Sequence, residues 1–223
     1  MTDRPQVLDR VDTARGELVL RREGEHLEVI SNGVFLMDTR DGGSERLLVR
    51  AALDRHPEPR VLLVGGLGVG FSLVEALADP RLTAVVVVER EQALVDWHRS
   101  WLADWSAGSL DDRRTHLVVG DLVAWLSDPG RWAGRVDVAC LVTDNGPDWL
   151  VTESNAALYD DAGLARLRAA LAPGGVAAFW SAEPAPAFAA RLSASFGEVE
   201  TLAQPPVNVP RAEPDVVYVA RRP

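Results

Sequence analysis

Arg60-Val61-Leu62-Leu63-Val64 runs into Gly65-Gly66-Leu67-Gly68-Val69-Gly70 and then Phe71-Ser72-Leu73-Val74-Glu75-Ala76-Leu77. This order of strand, glycine turn and helix constrains the fold more than any other stretch. Val61 to Val64 are apolar and partly β-branched, as in a strand buried on both faces of a parallel sheet. The four glycines let the chain turn sharply and let a ligand approach the backbone, and Val69 to Leu77 carry apolar residues at helical spacing. Such a turn aims backbone N–H groups over the strand end, where a nucleotide can sit. Close packing of a strand on a helix selects glycine too, so the turn needs a second signal.

Thr83-Ala84-Val85-Val86-Val87-Val88-Glu89-Arg90 supplies one: a second buried-strand run that ends in an acid, with Glu89 placed 24 positions after Gly65. In doubly wound folds an acid at the tip of the second strand receives the ribose hydroxyls, at a spacing of roughly 20 residues. Glu89 can equally favour the helix that begins near Glu91 through its dipole.

With 223 residues and 47% hydrophobic content, the chain can bury one sizeable α/β core with a small appendage. Its formal charge of −10 argues against a nucleic-acid partner, which needs a clustered basic face, and no basic stripe is visible. No apolar run spans a bilayer, and Met1-Thr2-Asp3-Arg4-Pro5 lacks a signal peptide's apolar core, so a cytoplasmic protein with no membrane partner is expected. All 23 basic residues are arginine. Without lysine there is no Schiff base, no Walker lysine and no lysine-bound pyridoxal. His26, His56, His98 and His116 show no metal-ligand spacing with one another or with the single cysteine, Cys140, and no metal is expected. Cys140 lies in an apolar run and reads as an inert core thiol.

Short alternating segments from Glu17 to Met37, broken at Glu23-Gly24-Glu25 and Ser31-Asn32-Gly33, predict an antiparallel β meander. A helix from about Glu45 to Leu53 follows, and Pro57 and Pro59 separate it from the first parallel strand. Trp97, Trp101 and Trp105 recur at i, i+4 and i+8, which predicts one aromatic face of a helix, for core or interface packing or as a substrate wall. Thr115 to Val119 ends at Gly120-Asp121, where the carboxylate can meet an adenine amino group or simply cap a helix. Arg135 to Val142 leads into the polar loop Thr143-Asp144-Asn145-Gly146-Pro147-Asp148-Trp149, at the sheet edge where open α/β folds hold their reacting groups.

Together with Pro173-Gly174-Gly175 before a strand, these features resemble a class I S-adenosylmethionine-dependent methyltransferase fold. The meander and Ser44-Glu45-Arg46-Leu47-Leu48 narrow the resemblance to the spermidine synthase (polyamine aminopropyltransferase) family, across essentially the whole chain. It implies a doubly wound, Rossmann-like α/β domain with a seven-stranded sheet at 57–223, preceded at 1–56 by the β meander and linking helix. It places Gly65, Gly66, Gly68, Gly70, Glu89, Arg90, Gly120, Asp121, Leu122 and Thr143 around an S-adenosylmethionine or decarboxylated S-adenosylmethionine donor. The acceptor side falls to Glu45, Asn145, Trp149 and Tyr159, with Asp144 and Asp148 as catalytic bases or amine anchors. The chain departs from the family where Gly68 replaces the turn aspartate that helps hold the donor's amine. Ser44 stands in a histidine position, and of the fourth-strand Asp-Ser-x-Asp-Pro motif only Asp144 survives, shifted by one.

A carboxylate at the turn would repel that of ordinary S-adenosylmethionine, and Gly68 removes it. The expected reaction is therefore methyl transfer to a small-molecule acceptor by a homodimer. The alternatives are aminopropyl transfer to a polyamine, or an inactive nucleoside-binding homologue. Restoring an acid, Gly68→Asp, tests this provided that φ at Gly68 is below zero.

Overall fold

The structure, a computed structural model, describes residues 4–205 and 213–223. It holds two sheets. The first is antiparallel, in the order β1-β2-β3-β4, from β1 (Gln6–Thr13), β2 (Gly16–Glu23), β3 (His26–Ser31) and β4 (Val34–Asp38). Arg21 and Arg40 pair with the buried Glu28 carboxylate and fasten its outer face.

The second sheet has seven strands, in the order β10-β11-β9-β8-β5-β6-β7. Its members are β5 (Val61–Gly65), β6 (Ala84–Glu89), β7 (Thr115–Val119), β8 (Val136–Leu141), β9 (Leu171–Ser181), β10 (Val199–Gln204) and β11 (Asp215–Arg221). Pairing is parallel from β7 across to β9 and antiparallel at β11 and β10. Helices α1 (Gly43–Asp54), α2 (Phe71–Ala78), α3 (Gln92–His98), α4 (Ala103–Ser106), α5 (Leu122–Ser127), α6 (Ala156–Tyr159), α7 (Asp161–Ala170) and α8 (Pro186–Phe196) flank the sheets.

Alternation along the central strands builds both cores. Leu62, Val64, Val85, Val87 and Cys140 belong to one cluster, and Leu63, Val86, Val88, Ala139 and Leu141 to the other. This is why those runs are apolar throughout. A third cluster joins Leu18, Leu20, Leu27 and Val29 of the first sheet to Val69, Phe71, Leu94 and Trp97. The meander is thus a roof on the α/β unit, stabilised by a shared apolar interface that a small sheet cannot provide for itself. Helix α1 packs on α2, β9 and β11, on the α/β side of that interface.

Two local expectations are corrected. The meander has four strands, because Gln6–Thr13 pairs with β2. The tryptophans do not form one helical face. Helix α3 ends at His98, the Ser100 hydroxyl bonds to the Asp96 carbonyl, and Trp97 is buried while Trp101 and Trp105 are exposed. Serine competing for a helix carbonyl in this way weakens continuation of the helix. Trp97 instead donates to Asp9 of β1 at 2.8 Å. No helix among the described residues is long and apolar enough to cross a membrane.

Candidate active site

From β5 the chain winds outward through β6 and β7, then returns to place β8 on the other side of β5. A cleft opens outside the carboxyl ends of strands at such a reversal. Here those ends present Gly66, Glu89, Gly120 and Val142, with Leu36 and Met37 of the roof above. One lobe carries Glu89, Gly120, Asp121, Leu122 and Thr143. The other carries Glu45, Phe71, Ser72, Asn145 and Trp180. Gly66, Gly68, Arg90 and Asp144 border both lobes.

Glu89 organises the first lobe. One carboxylate oxygen accepts the Leu67 N–H at 2.8 Å and the other the Glu91 N–H at 2.7 Å, so this acid straps the glycine turn to its own strand. Burial pushes its pKa up, opposed by those two bonds. Each oxygen keeps a lone pair for a ribose hydroxyl. Gly66 has φ +93°, and a Cβ there would lie 2.3 Å from the Val142 carbonyl oxygen. Only glycine fits. Gly68 has φ +54°, so the condition attached to Gly68→Asp fails: aspartate would strain the turn and disturb either donor. Behind the turn, buried His98 meets the Gly68 carbonyl at 2.8 Å. Gly70 caps α2, and Gly65 packs against Leu122.

Asp121 is the N-cap of α5, accepting from Ala124 N at 2.9 Å, and it also borders the lobe, so both roles read from the sequence are open to it. Arg15, in the β1–β2 turn, donates to Glu91 at 2.6 Å and to the Arg90 carbonyl at 3.0 Å. Arg90 itself reaches across to Thr152 at 2.7 Å. These two arginines join the roof and the loop after β8 to the tip of β6.

In the second lobe Asp144 adopts φ +64° and accepts four N–H groups: Asn145 N, Val151 N, Thr152 N at 3.0 Å and the Asn155 side chain at 2.9 Å. It holds the 151–155 segment. Glu45 stands on the first turn of α1, with the Ser44 hydroxyl on its Oε2 at 3.0 Å and the Trp180 indole on that hydroxyl. Burial, then the nearby Asp215 and Asp41 charges, raise its pKa to about 7 against the bonds from its own backbone N–H and from Ser44.

Three expected acceptor-side residues are held elsewhere. Asp148 and Trp149 lie exposed, since the loop turns outward at Gly146 and Pro147 to let Gly146 pack on Ser181. Tyr159 is buried among Phe179 and Phe188, donates to the Thr143 carbonyl at 2.6 Å and supports the loop from below. Sequence reading missed Arg15, Met37, Glu91, Phe71 and Trp180. Glu91 sits two residues from a recognised acid and Phe71 directly follows the glycine turn; Arg15, Met37 and Trp180 come from distant elements with no local signature. Among the described residues no group of three His, Cys, Asp or Glu side chains is placed to hold a metal ion.

A spermine/spermidine synthase domain model matches residues 43–186. The chain is 33% identical over 174 residues to a polyamine aminopropyltransferase of Mycobacterium tuberculosis, covering 77% of this chain and 32% of that protein. It is 27% identical over 162 residues to putrescine N-methyltransferase 1 of Nicotiana tabacum, covering 72% of this chain and 41% of that one. A crystal structure of spermidine synthase with the transition-state analogue AdoDATO superposes with a TM-score of 0.85 at 16% identity, covering 98% of this chain and 74% of that one. The chain thus spans about a third to two-fifths of the length of these curated relatives.

Proposed function

The chain belongs to the spermine/spermidine synthase family, and from that premise we propose that it transfers an aminopropyl group from decarboxylated S-adenosylmethionine to an amine. The observation that carries this is the two-lobed cleft, in which the strapped glycine turn, Glu89 and Asp121 form a nucleoside half that opens at Gly68 onto a half bearing Glu45. Glu89 receives the ribose hydroxyls, Asp121 receives the adenine amine with the oxygen that its cap leaves free, and the turn holds the sulfonium end. Arg90, Leu122 and Thr143 close the donor side. The acceptor's lone pair attacks the carbon next to the sulfonium, that carbon–sulfur bond breaks, methylthioadenosine leaves, and the acceptor nitrogen loses a proton. Holding the reactants in line is the main contribution such a cleft makes. Relatives that carry the aminopropyltransferase name favour this over the methyl transfer expected from the sequence.

Methyl transfer from S-adenosylmethionine is the second reading, favoured by the carboxylate-free turn at Gly68 and by the plant N-methyltransferase relative. In either reading residues 1–56 supply the roof and the linking helix α1, and 57–223 the donor domain. A homodimer formed through the exposed β4 residues Val34 and Phe35, working in the cytoplasm, belongs to the same proposal. Each donor is incubated with an amine mixture and the nucleoside product identified. Methylthioadenosine from the decarboxylated donor is expected. S-adenosylhomocysteine from the full donor would install the second reading, and neither product would leave a nucleoside-binding homologue.

A further inference from the structure

We propose that Met37 sets the choice of donor: its thioether covers the turn at Gly68 and disfavours a donor tail that carries a carboxylate. This rests on the aminopropyl-transfer reading above and names the residue that makes the decarboxylated donor the preferred one.

Strand β4 falls out of step with β3 where it passes the cleft. Val29 pairs with Met37 but Ile30 pairs with Phe35, which leaves Leu36 as an extra residue in β4. Along a regular strand adjacent side chains face opposite ways, and a bulge of this kind re-aims one of them. Leu36 and Met37 accordingly both line the cleft, in both of its lobes.

Met37 reaches the turn itself. A Cβ at position 68 would stand 3.0 Å from the Met37 sulfur and 3.7 Å from its methyl carbon. The roof thus supplies a side chain where the turn has none. With the sulfonium end of the donor held at the turn, the tail that extends from it passes under Met37.

The two donors differ in one group. The tail carbon that bears the ammonium also bears a carboxylate in S-adenosylmethionine, and only hydrogen in its place in the decarboxylated form. Met37 and Leu36 offer that carboxylate no N–H or O–H, while a thioether, a weak and polarisable acceptor, tolerates an ammonium. Covering an anion with apolar atoms removes water that these side chains do not replace. Arg90, the one arginine among the described residues that lines either lobe, is engaged by Thr152 at 2.7 Å and Glu91 at 3.5 Å. Glu45, Glu91 and Asp144 border the second lobe and add like charge. Discrimination against the full donor thereby survives the absence of a turn acid.

Calorimetric titration with each donor, without an acceptor, gives the ratio of the two dissociation constants for the parent, Met37→Gln, Met37→Ala and Met37→Leu. The parent is expected to bind the decarboxylated donor about tenfold or more tighter. Glutamine offers an N–H to the carboxylate and alanine admits water, so both variants should lower the ratio by about fivefold or more. Leucine keeps the apolar cover and should preserve it. Each ratio is taken within one protein, so a general loosening of the turn, which weakens both donors alike, cancels. A preference for the decarboxylated donor that Met37→Gln and Met37→Ala leave unchanged, or that Met37→Leu loses as they do, overturns the inference and leaves the aminopropyl-transfer reading standing. A parent that prefers the full donor, or binds neither, overturns that reading, and the inference with it.

Discussion

The Asp144 carboxylate accepts the Asn155 side-chain amide at 2.9 Å, across the loop that follows β8. With the backbone N–H groups of Val151 and Thr152 on the same carboxylate, this bond makes Asp144 the keystone of the 151–155 segment. A strand-end acid read from sequence as a candidate base is therefore already engaged by its own loop.

Asp144→Ala should lower stability by about 2–4 kcal/mol, because several N–H groups lose a charged partner at once. Thermal unfolding checks this, and Asp144→Asn should recover part of the loss. If Asp144→Ala abolished transfer with no change in unfolding temperature, Asp144 would be a base and not a keystone.

Glu89→Gln should weaken methylthioadenosine binding about tenfold or more. Hydrogen bonds to a charged group are worth roughly 1.5–3 kcal/mol, and glutamine also turns an N–H toward one of the two backbone donors that Glu89 now holds. Calorimetry on the folded variant measures it. Unaltered affinity would remove Glu89 from the donor site.

Glu45 gives the fold a pH dependence of definite sign. Its pKa rises from 4.5 to about 7 on folding, so between those values the folded chain keeps a proton that the unfolded chain has lost. Stability from this group is complete below pH 4.5 and declines as pH rises toward 7, by at most roughly 3 kcal/mol. Glu45→Gln carries no such term. The difference in unfolding temperature between variant and parent should therefore shift in the variant's favour from pH 4.5 to 8, and a constant difference would refute the assignment.

Deleting residues 1–40 should give an aggregating protein. The third apolar cluster would lose its first-sheet half and expose Val69, Phe71, Leu94 and Trp97, at about 1.5–3 kcal/mol for each large side chain. A soluble, monodisperse and active remnant would show that the roof is dispensable.

The α/β half was legible because its signals are local. Apolar runs of strand length, glycines after the first and an acid after the second each lie within one element, and the structure brings Glu89, Asp121 and Gly68 to one cleft. The roof was less so. Strand β1 carries Asp9, Arg10 and Asp12 and has no fully buried position, so no apolar alternation announces it, and its pairing with β2 decides its state. The acceptor side was least legible, since a polar loop names its residues without saying which way they face. Asp144 turned in to hold backbone, and Asp148 and Trp149 turned out to solvent. Trp180 is set against Ser44, 136 residues earlier, by sheet order alone.

Cys140 lies on β8, between β5 and β9, fully buried and with its thiol pKa pushed up by that burial. It is the chain's one sulfhydryl, so a disulfide reagent has a single target per molecule and no surface background. Its side chain stands off the sheet into the apolar cluster beneath α1 and α2, so that target is reached only when this core opens, and fraying of the roof or of the loops leaves it untouched. The trapping rate of this sulfhydryl is thus a built-in clock for global opening, and a cleft ligand that slows it reports its own affinity without any catalytic assay.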